Sequence, residues 1–347
     1  MQDQIGCRPI LGGSRCQSSF TPIQAPKKTV LRLLVRTPDA PAIVFVNPAA
    51  GRGRTRKYLP RVRKVFAERR FSACFVETSS RQELQDLACR AIADGNRLLI
   101  AMGGDGTLQA LAQEAIGHEV VLGVIPAGGG NDFAAALGLA EEPVAAARLL
   151  LAGEVRTIDV ARATTDDGKA RIFLGGGGIG LDAETARYAN EHYGSWPGRW
   201  RYVGSALHAY THFQPLRVQV EFPENGVVVN GEELLTAGVL NTPTYGAGIR
   251  FAPEARIDDG MLDVVLLEYL RFGQILGMLP RLLINGEIEA ARMKRFRTPR
   301  VRLTPDRECM FHGDGEIFGP TPVEIEVRRG SVSVLAPRAG KVSRGKP

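Results

Sequence analysis

The chain has 347 residues, 44% of them hydrophobic and 23% charged, with a formal net charge of +7. That is enough for one large or two medium domains with proper cores, it excludes disorder of the whole chain, and its sign favours an anionic partner. Five cysteines (Cys7, Cys16, Cys74, Cys89 and Cys309) lack any Cys-x-x-Cys spacing, and no apolar run reaches the roughly eighteen residues of a membrane span. The expectation is neither a zinc site nor a disulfide framework, no signal peptide, and a cytoplasmic protein.

In chain order, residues 1–38 carry no sustained period and read as a poorly ordered extension. Ile43–Val46 is a strand that ends in the turn Asn47-Pro48-Ala49-Ala50-Gly51-Arg52-Gly53. A helix follows with Leu59, Val62, Val65 and Phe66 on one face, then a strand over Ala73–Glu77, then a helix with Leu84, Leu87, Ala88, Ala91 and Ile92 at i, i+3, i+4, i+7 and i+8. The apolar run Leu98–Met102 stops in Gly103-Gly104-Asp105-Gly106-Thr107, and Leu108–Ile116 reads as a helix. One βα unit later Val121–Pro126 repeats the strand, and Ala127-Gly128-Gly129-Gly130-Asn131-Asp132-Phe133 repeats the glycine-and-carboxylate turn. Alternating strands and helices imply a largely parallel sheet with right-handed crossovers. Pro143 opens a helix through Leu151, which Gly153 ends.

From Val155 strands dominate. Leu216, Val218, Val220 and Phe222 alternate, Asn225-Gly226 and Asn230-Gly231 read as hairpin turns, and Leu234–Leu240 and Leu262–Leu267 as further strands. The expected organisation is an extension over 1–38, an α/β nucleotide-binding domain over 39–157, a β-rich domain over 158–319 and a tail over 339–347. Tyr188 to Phe213 holds both tryptophans, Trp196 and Trp200, and suits either a mobile flap at a lipid interface or core packing. His208 and His212 lack a His-Glu-x-x-His pattern and imply no metal site. Two basic clusters, Arg52 to Lys64 and Arg292 to Arg300, carry no nucleic-acid-binding signature, so ATP phosphates and an anionic membrane surface are the expected partners.

Glycines on both sides of a carboxylate allow close approach of backbone amides to phosphate, and two such turns on successive strands meet at the carboxyl ends of a parallel sheet. A plain connecting turn has the same composition. No Gly-x-x-x-x-Gly-Lys-Ser/Thr occurs, which excludes a P-loop. Further along come Asn241-Thr242-Pro243-Thr244-Tyr245-Gly246-Ala247-Gly248, Ile257-Asp258-Asp259-Gly260 and Gly313-Asp314-Gly315-Glu316. With Gly-Gly-Asp-Gly-Thr and Asn-Asp-Phe-Ala, this set resembles the diacylglycerol kinase catalytic-domain family, which includes sphingosine and ceramide kinases and bacterial lipid kinases. The resemblance covers residues 42 to 335. It departs at Gly129, where Thr is usual, at Ala135, where Arg is common, and at Leu181 in Gly178-Ile179-Gly180-Leu181-Asp182-Ala183, where Phe is usual.

What the resemblance implies is an α/β nucleotide domain of NAD kinase and diacylglycerol kinase type, completed by the last strands at about 320–338, with a second β-rich domain for the lipid. The implied reaction is ATP- and magnesium-dependent phosphorylation of a membrane lipid hydroxyl, diacylglycerol to phosphatidic acid, by a peripherally membrane-associated enzyme. Asn47, Gly51, Arg52, Gly53, Gly103, Gly104, Asp105, Gly106, Thr107, Gly128, Gly129, Asn131 and Asp132 are the implied ATP contacts. Asp259 is the implied magnesium ligand, with Asp105, Asp132 and Asp159 in its carboxylate network, and Asp314 the implied general base beside Glu316. Alternatives are an NAD kinase-like enzyme or a catalytically weak nucleotide- or lipid-binding regulator. The sequence leaves the oligomeric state open, a homodimer included.

Overall fold

The computed structural model describes residues 40–181, 183–185, 204–205, 208–246, 248–286 and 293–338. The N-terminal extension, the tail from 339, Asp182 and the tryptophan-bearing part of the aromatic stretch lie outside the described residues. The chain divides into two compact units: one holds the described chain up to Gly128, Leu137–Thr157 and the stretch from Ser331, and the other Gly129–Ala136 and Ile158–Gly330. The boundaries therefore differ from 39–157 and 158–319, because the short segment Gly129–Ala136 groups with the second unit.

In the first unit, β1 (Ala42–Val46), β2 (Ala73–Glu77), β3 (Leu98–Gly103), β4 (Val121–Pro126) and the end of β15 (Val323–Ala336) form a parallel sheet in the order β15-β4-β3-β1-β2. β1, β3 and β4 are buried along their whole length, as strands covered on both faces must be. Helices α1 (Arg54–Glu68), α2 (Arg81–Ala93), α3 (Asp105–Ala115) and α5 (Pro143–Leu151) supply the crossovers. Two of the starts have a clear physical cause: Ser80 accepts the Glu83 N–H at 3.1 Å to cap α2, and Glu142 accepts the Ala145 N–H at 2.7 Å to cap α5, with Pro143 in its first turn. The stripe Leu59, Val62, Val65 and Phe66 packs on Val44, Ile100, Met102 and Leu150, each such side chain contributing about 1.5–3 kcal/mol by leaving water. The helix expected from Leu108 begins one turn earlier, at Asp105, so the acidic residue of the turn is itself in the helix's first turn.

Cys74 on β2 is disulfide-bonded, so the expectation of a chain without disulfides fails there. Spacing along the chain carries no information about a cysteine's distant partner.

The second unit is antiparallel. Its strands are β6 (Ala170–Phe173), β7 (Gly176–Gly180), β8 (Leu216–Phe222), β9 (Val227–Leu240), β10 (Leu262–Glu268), β11 (Met293–Thr298), β12 (Arg300–Pro305), β13 (Met310–Gly313) and β14 (Glu316–Pro320), with most of β5 (Glu154–Thr165) and the start of β15. They pair in the order β14-β13-β7-β9-β8-β12-β15, while β10 joins β9 to β11 and β5 holds β6. Leu216, Val218, Val220 and Phe222 alternate with more exposed residues and enter a core with Phe173, Val239, Leu262 and Phe311. Asn225-Gly226 turns the chain as expected, but Asn230-Gly231 does not. β9 runs on through it, Gly231 pairs with Val218, and the irregularity is absorbed as a register shift with Glu233 at φ 52°. Two helices, α4 (Asp132–Ala136) and α6 (Phe272–Asn285), also belong to this unit.

Candidate functional site

In the first unit three turns lie against one another at the carboxyl ends of parallel strands, where open α/β sheets bind ligands. Asn47 links two of them: its backbone N–H donates to the Met102 carbonyl at 3.0 Å and its Nδ2 to Thr107 Oγ1 at 3.4 Å. Gly51, Arg52 and Gly53 are all left-handed, at φ 57°, 58° and 80°. Gly51 has a second reason to be glycine, since a methyl there would strike the Ala127 carbonyl oxygen. The β3 and β4 turns are joined by Ala127 N–H to the Gly103 carbonyl at 2.7 Å and Gly128 N–H to the same oxygen at 3.2 Å. A Cβ on Gly104 would sit 3.2 Å from the Gly128 Cα, so Gly104 and Gly128 let the turns touch. Asp105, Gly106 and Thr107 form the first turn of α3, where the helix dipole favours an anion or a carboxylate. Arg52 is exposed, whereas Arg54 donates to the Glu141 carbonyl at 3.0 Å.

The remaining expected residues belong to the second unit. Gly129 is exposed and Asn131 is buried at φ 65°. Asp132 Oδ1 accepts the Gly248 N–H at 2.8 Å, holding α4 to the loop after β9. Asp159 is buried, and its two oxygens accept the N–H groups of Gly260 at 2.6 Å and Gly330 at 2.7 Å. It staples the Asp-Asp-Gly loop to the bend in β15.

Asp259 accepts the Met261 N–H at 3.0 Å and ion-pairs with Arg297, whose Nε also lies 3.7 Å from Asp263. Burial, the largest cause, raises the Asp263 carboxyl above its ordinary range; Asp259 and Glu254 add to that rise and Arg297 opposes it.

Asp132, Asp159 and Asp259 each hold a different partner, and among the described residues no three His, Cys, Asp or Glu side chains converge on one point. As a magnesium cage the Asp259 loop fits poorly, because a guanidinium already balances the carboxylate that would ligate.

Asp314 is held differently. β13 and β14 are joined by the two-residue turn Asp314-Gly315, with φ 50° and 83°, the positive pair a tight hairpin needs. This aims the Asp314 carboxylate at the segment leading into β7. Oδ2 accepts the Leu174 N–H at 2.7 Å, and Oδ1 accepts those of Gly175 at 2.8 Å and Gly176 at 3.2 Å. A carboxylate offers about four acceptor directions, so one remains, on Oδ2. Burial pushes the Asp314 carboxyl up to about 6, with the three amides and the neighbouring His312 pulling the other way. A carboxylate that is fixed in place and protonates near neutrality suits general-base chemistry. Glu316 opens β14 and pairs in register with Gly313.

Three features with no role legible in the sequence build this arrangement. Asn241 is fully buried and donates through Nδ2 to the carbonyls of Leu174 at 3.0 Å and Asp159 at 3.1 Å, positioning the amide-bearing segment that grips Asp314. His312 is buried on β13 and meets the Tyr245 hydroxyl at 3.0 Å through Nδ1. The run Gly175 to Gly178 reads as a loop by propensity but enters a strand, because side chains on Gly176 and Gly177 would collide with Leu240, Tyr245, Phe311 and the His312 carbonyl.

Comparison with known proteins gives the chain its relatives. The family model described as the diacylglycerol kinase catalytic domain matches residues 41–163, and that described as the YegS C-terminal NAD kinase beta sandwich-like domain matches 177–336. A protein named diacylglycerol kinase from Mycobacterium tuberculosis is 28% identical over 301 residues, covering 85% of this chain and 95% of its own length. A probable lipid kinase YegS-like protein of Xanthomonas euvesicatoria is 30% identical over 238 residues, covering 65% of this chain and 74% of its own. In fold, the crystal structure of a diacylglycerol kinase from Bacillus anthracis superposes with a TM-score of 0.67 at 22% identity, covering 86% of this chain and 98% of that one. Fold and relatives together define an enzyme of the lipid kinase class. The chain belongs to the diacylglycerol kinase catalytic-domain family.

Proposed function

We propose that this enzyme transfers the γ-phosphoryl group of ATP to the hydroxyl of a membrane lipid, diacylglycerol being the acceptor its relatives' names suggest. The observation that carries the reading is Asp314: a carboxylate held by three backbone amides, with one acceptor direction left on Oδ2 and a titration near pH 6. In this reading Oδ2 takes the hydroxyl proton as the oxygen attacks phosphorus, while the turns of Asn47–Gly53, Gly103–Thr107 and Ala127–Gly128 bind the phosphates. Asp105 at the start of α3 orders those turns beside the phosphates. Magnesium supplies charge neutralisation on the nucleotide, as in other phosphoryl transfers.

The test is phosphorylation of a lipid panel in mixed micelles with labelled ATP and identification of the product. Phosphatidic acid from diacylglycerol, abolished by EDTA and restored by magnesium, is the expected result. Transfer to NAD instead, or binding of nucleotide without turnover on any lipid, overturns it. Asp105→Asn is expected to reduce lipid turnover at least about tenfold, since one misplaced charge at a phosphate site costs more than about 1.4 kcal/mol.

A further inference from the structure

The helix α6 is apolar over more than half of its circumference. Of its fourteen residues, Phe272 to Asn285, only Gln274, Arg281 and Asn285 are polar, and none is acidic. Its inner side is accounted for: Ile275 and Met278 pack on Leu181, Leu235, Leu267 and Leu270. Its outer side is more open. Phe272, whose ring also meets that of Tyr210 at 5.9 Å, Leu276 and Ile284 are 47%, 44% and 76% exposed, and with Pro280 they recur every four residues along one strip. A helix at the surface of a water-soluble domain carries charge on its solvent side, and an apolar strip left open beside a polar one marks a surface that meets protein or lipid.

We infer that this outer strip of α6 seats the enzyme in the interface of an anionic lipid bilayer; the inference rests on the membrane-lipid acceptor proposed above. At about 1.5 Å per residue the helix is some 21 Å long, too short to cross a hydrocarbon core of about 30 Å and suited to lying in the interfacial plane. Pro280 lacks the N–H that would bond the Leu276 carbonyl, which weakens the helix ladder on the strip. Charge favours anionic lipid over a second copy of the chain. Arg271 at the N-cap is exposed, so two copies of this face would bring like guanidinium groups together, whereas anionic headgroups neutralise them. The basic residues that follow on β11 and β12 contribute less than their sequence density suggests. Lys294 pairs with Glu268, Arg297 with Asp259 and Arg300 with Glu324.

The test uses the full chain with phosphatidylcholine vesicles, with and without phosphatidylglycerol, in co-sedimentation. The triple variant Phe272→Ser, Leu276→Ser, Ile284→Ser is expected to lose at least about tenfold in partitioning, given the share of membrane affinity that buried apolar area supplies. Its turnover of a dispersed short-chain diacylglycerol should match the parent, while turnover of long-chain diacylglycerol in vesicles falls. The variant Arg271→Gln leaves the apolar strip intact and should bind anionic vesicles roughly fivefold more weakly, with no change on neutral ones. It decides the matter alone if the triple variant does not fold. Unchanged vesicle binding in either folded variant overturns the inference. So does a parent that ignores vesicles, or a triple variant that binds them normally but shifts from dimer to monomer in light scattering. A parent that binds vesicles through this strip yet phosphorylates no dispersed lipid would leave the inference standing and overturn the proposed function instead.

Discussion

Two Asp-Gly turns of the second unit show how little the dipeptide says by itself. Asp259-Gly260 and Asp314-Gly315 share a composition, but the first folds around an arginine and the second around backbone. Arg297 reaches Asp259 from β11, and the resulting ion pair is partly open to water, with side chains 22% and 43% exposed for the aspartate and the arginine. Asp314, itself only partly buried, is held instead by three amides of the Leu174–Gly176 segment. The difference is one of consequence. A carboxylate paired with a guanidinium is stabilised as the anion and is a weak base, while one held by neutral dipoles and desolvated keeps its affinity for a proton. Of the two, the carboxylate fit for proton transfer is the one the fold surrounds with dipoles rather than with a guanidinium.

The largest expected effect that could break this contrast is on Asp314. Asp314→Asn should lower lipid turnover by about a hundredfold or more with nucleotide affinity unchanged. Calorimetry and rate measurement on one preparation check it. If affinity falls with rate, Asp314 belongs to the nucleotide site; if neither changes, the base is elsewhere, and Asp182, in the expected acceptor segment, becomes the candidate.

Stability sharpens the contrast with a third carboxylate. Asp159→Ala removes the acceptor for two N–H groups, those of Gly260 and Gly330, around a buried side chain. Leaving buried donors unpaired costs about 1–3 kcal/mol each, so a loss of some 2–5 kcal/mol in denaturant unfolding is expected, with the Asp-Asp-Gly loop opening first in hydrogen exchange. A change under about 1 kcal/mol would mean that the staple is not structural.

The pH dependence tests the counter-charge idea directly. Asp314 titrates at about 6, above the ordinary carboxylate value of 3.8. Its ionised form is the base, so kcat/KM should rise with pH through about 6 and then level. Stability moves oppositely. The folded state holds this proton more tightly than the unfolded chain, so the group's contribution is greatest below about pH 4 and is lost as pH rises to about 6. A turnover profile flat from about pH 5 to 7 would contradict the assignment.

The smallest effect is expected at the other turn. Arg297→Ala leaves Asp259 and buried Asp263 without their cation, but the pair is half-open to solvent, so a cost of about 1 kcal/mol is expected. The folded-state carboxyl of Asp263, already raised, should rise further, so the loss should be larger at about pH 7 than at about pH 4. An equal loss at both would show that Arg297 acts by packing alone.

Much of the first unit was readable along the chain. Continuous apolar runs of about five or six residues between amphipathic helices specify buried parallel strands, and glycines around Asp105 and after Pro126 mark where the backbone must approach closely. These are local properties, set by spacing and propensity over a few residues. The second unit was readable only where alternation is clean, as over Leu216–Phe222. Its glycine strand Gly176–Gly180, the continuation of β9 through Asn230-Gly231 and the strands from Met293 to Pro320 are not legible in local propensity, because cross-strand contact decides them. The helix α6 escaped notice for a related reason. Its apolar residues fill more than half of the circumference, with Gln274, Arg281 and Asn285 on the remaining side, and only the packed structure separates the covered part of that wide apolar face from the open part.

The sequence by itself determined the order of elements in the first unit, the phosphate-type turns and the identity of the acidic residues, since each follows from a short window of residue types. It could not assign those acids their work. Whether Asp159 staples, Asp259 pairs with an arginine or Asp314 holds a proton depends on which groups, 38 to 171 positions away, are brought to each carboxylate. Those partners set the local dielectric, the counter-charge and the number of donors, and these quantities exist only once the chain has folded.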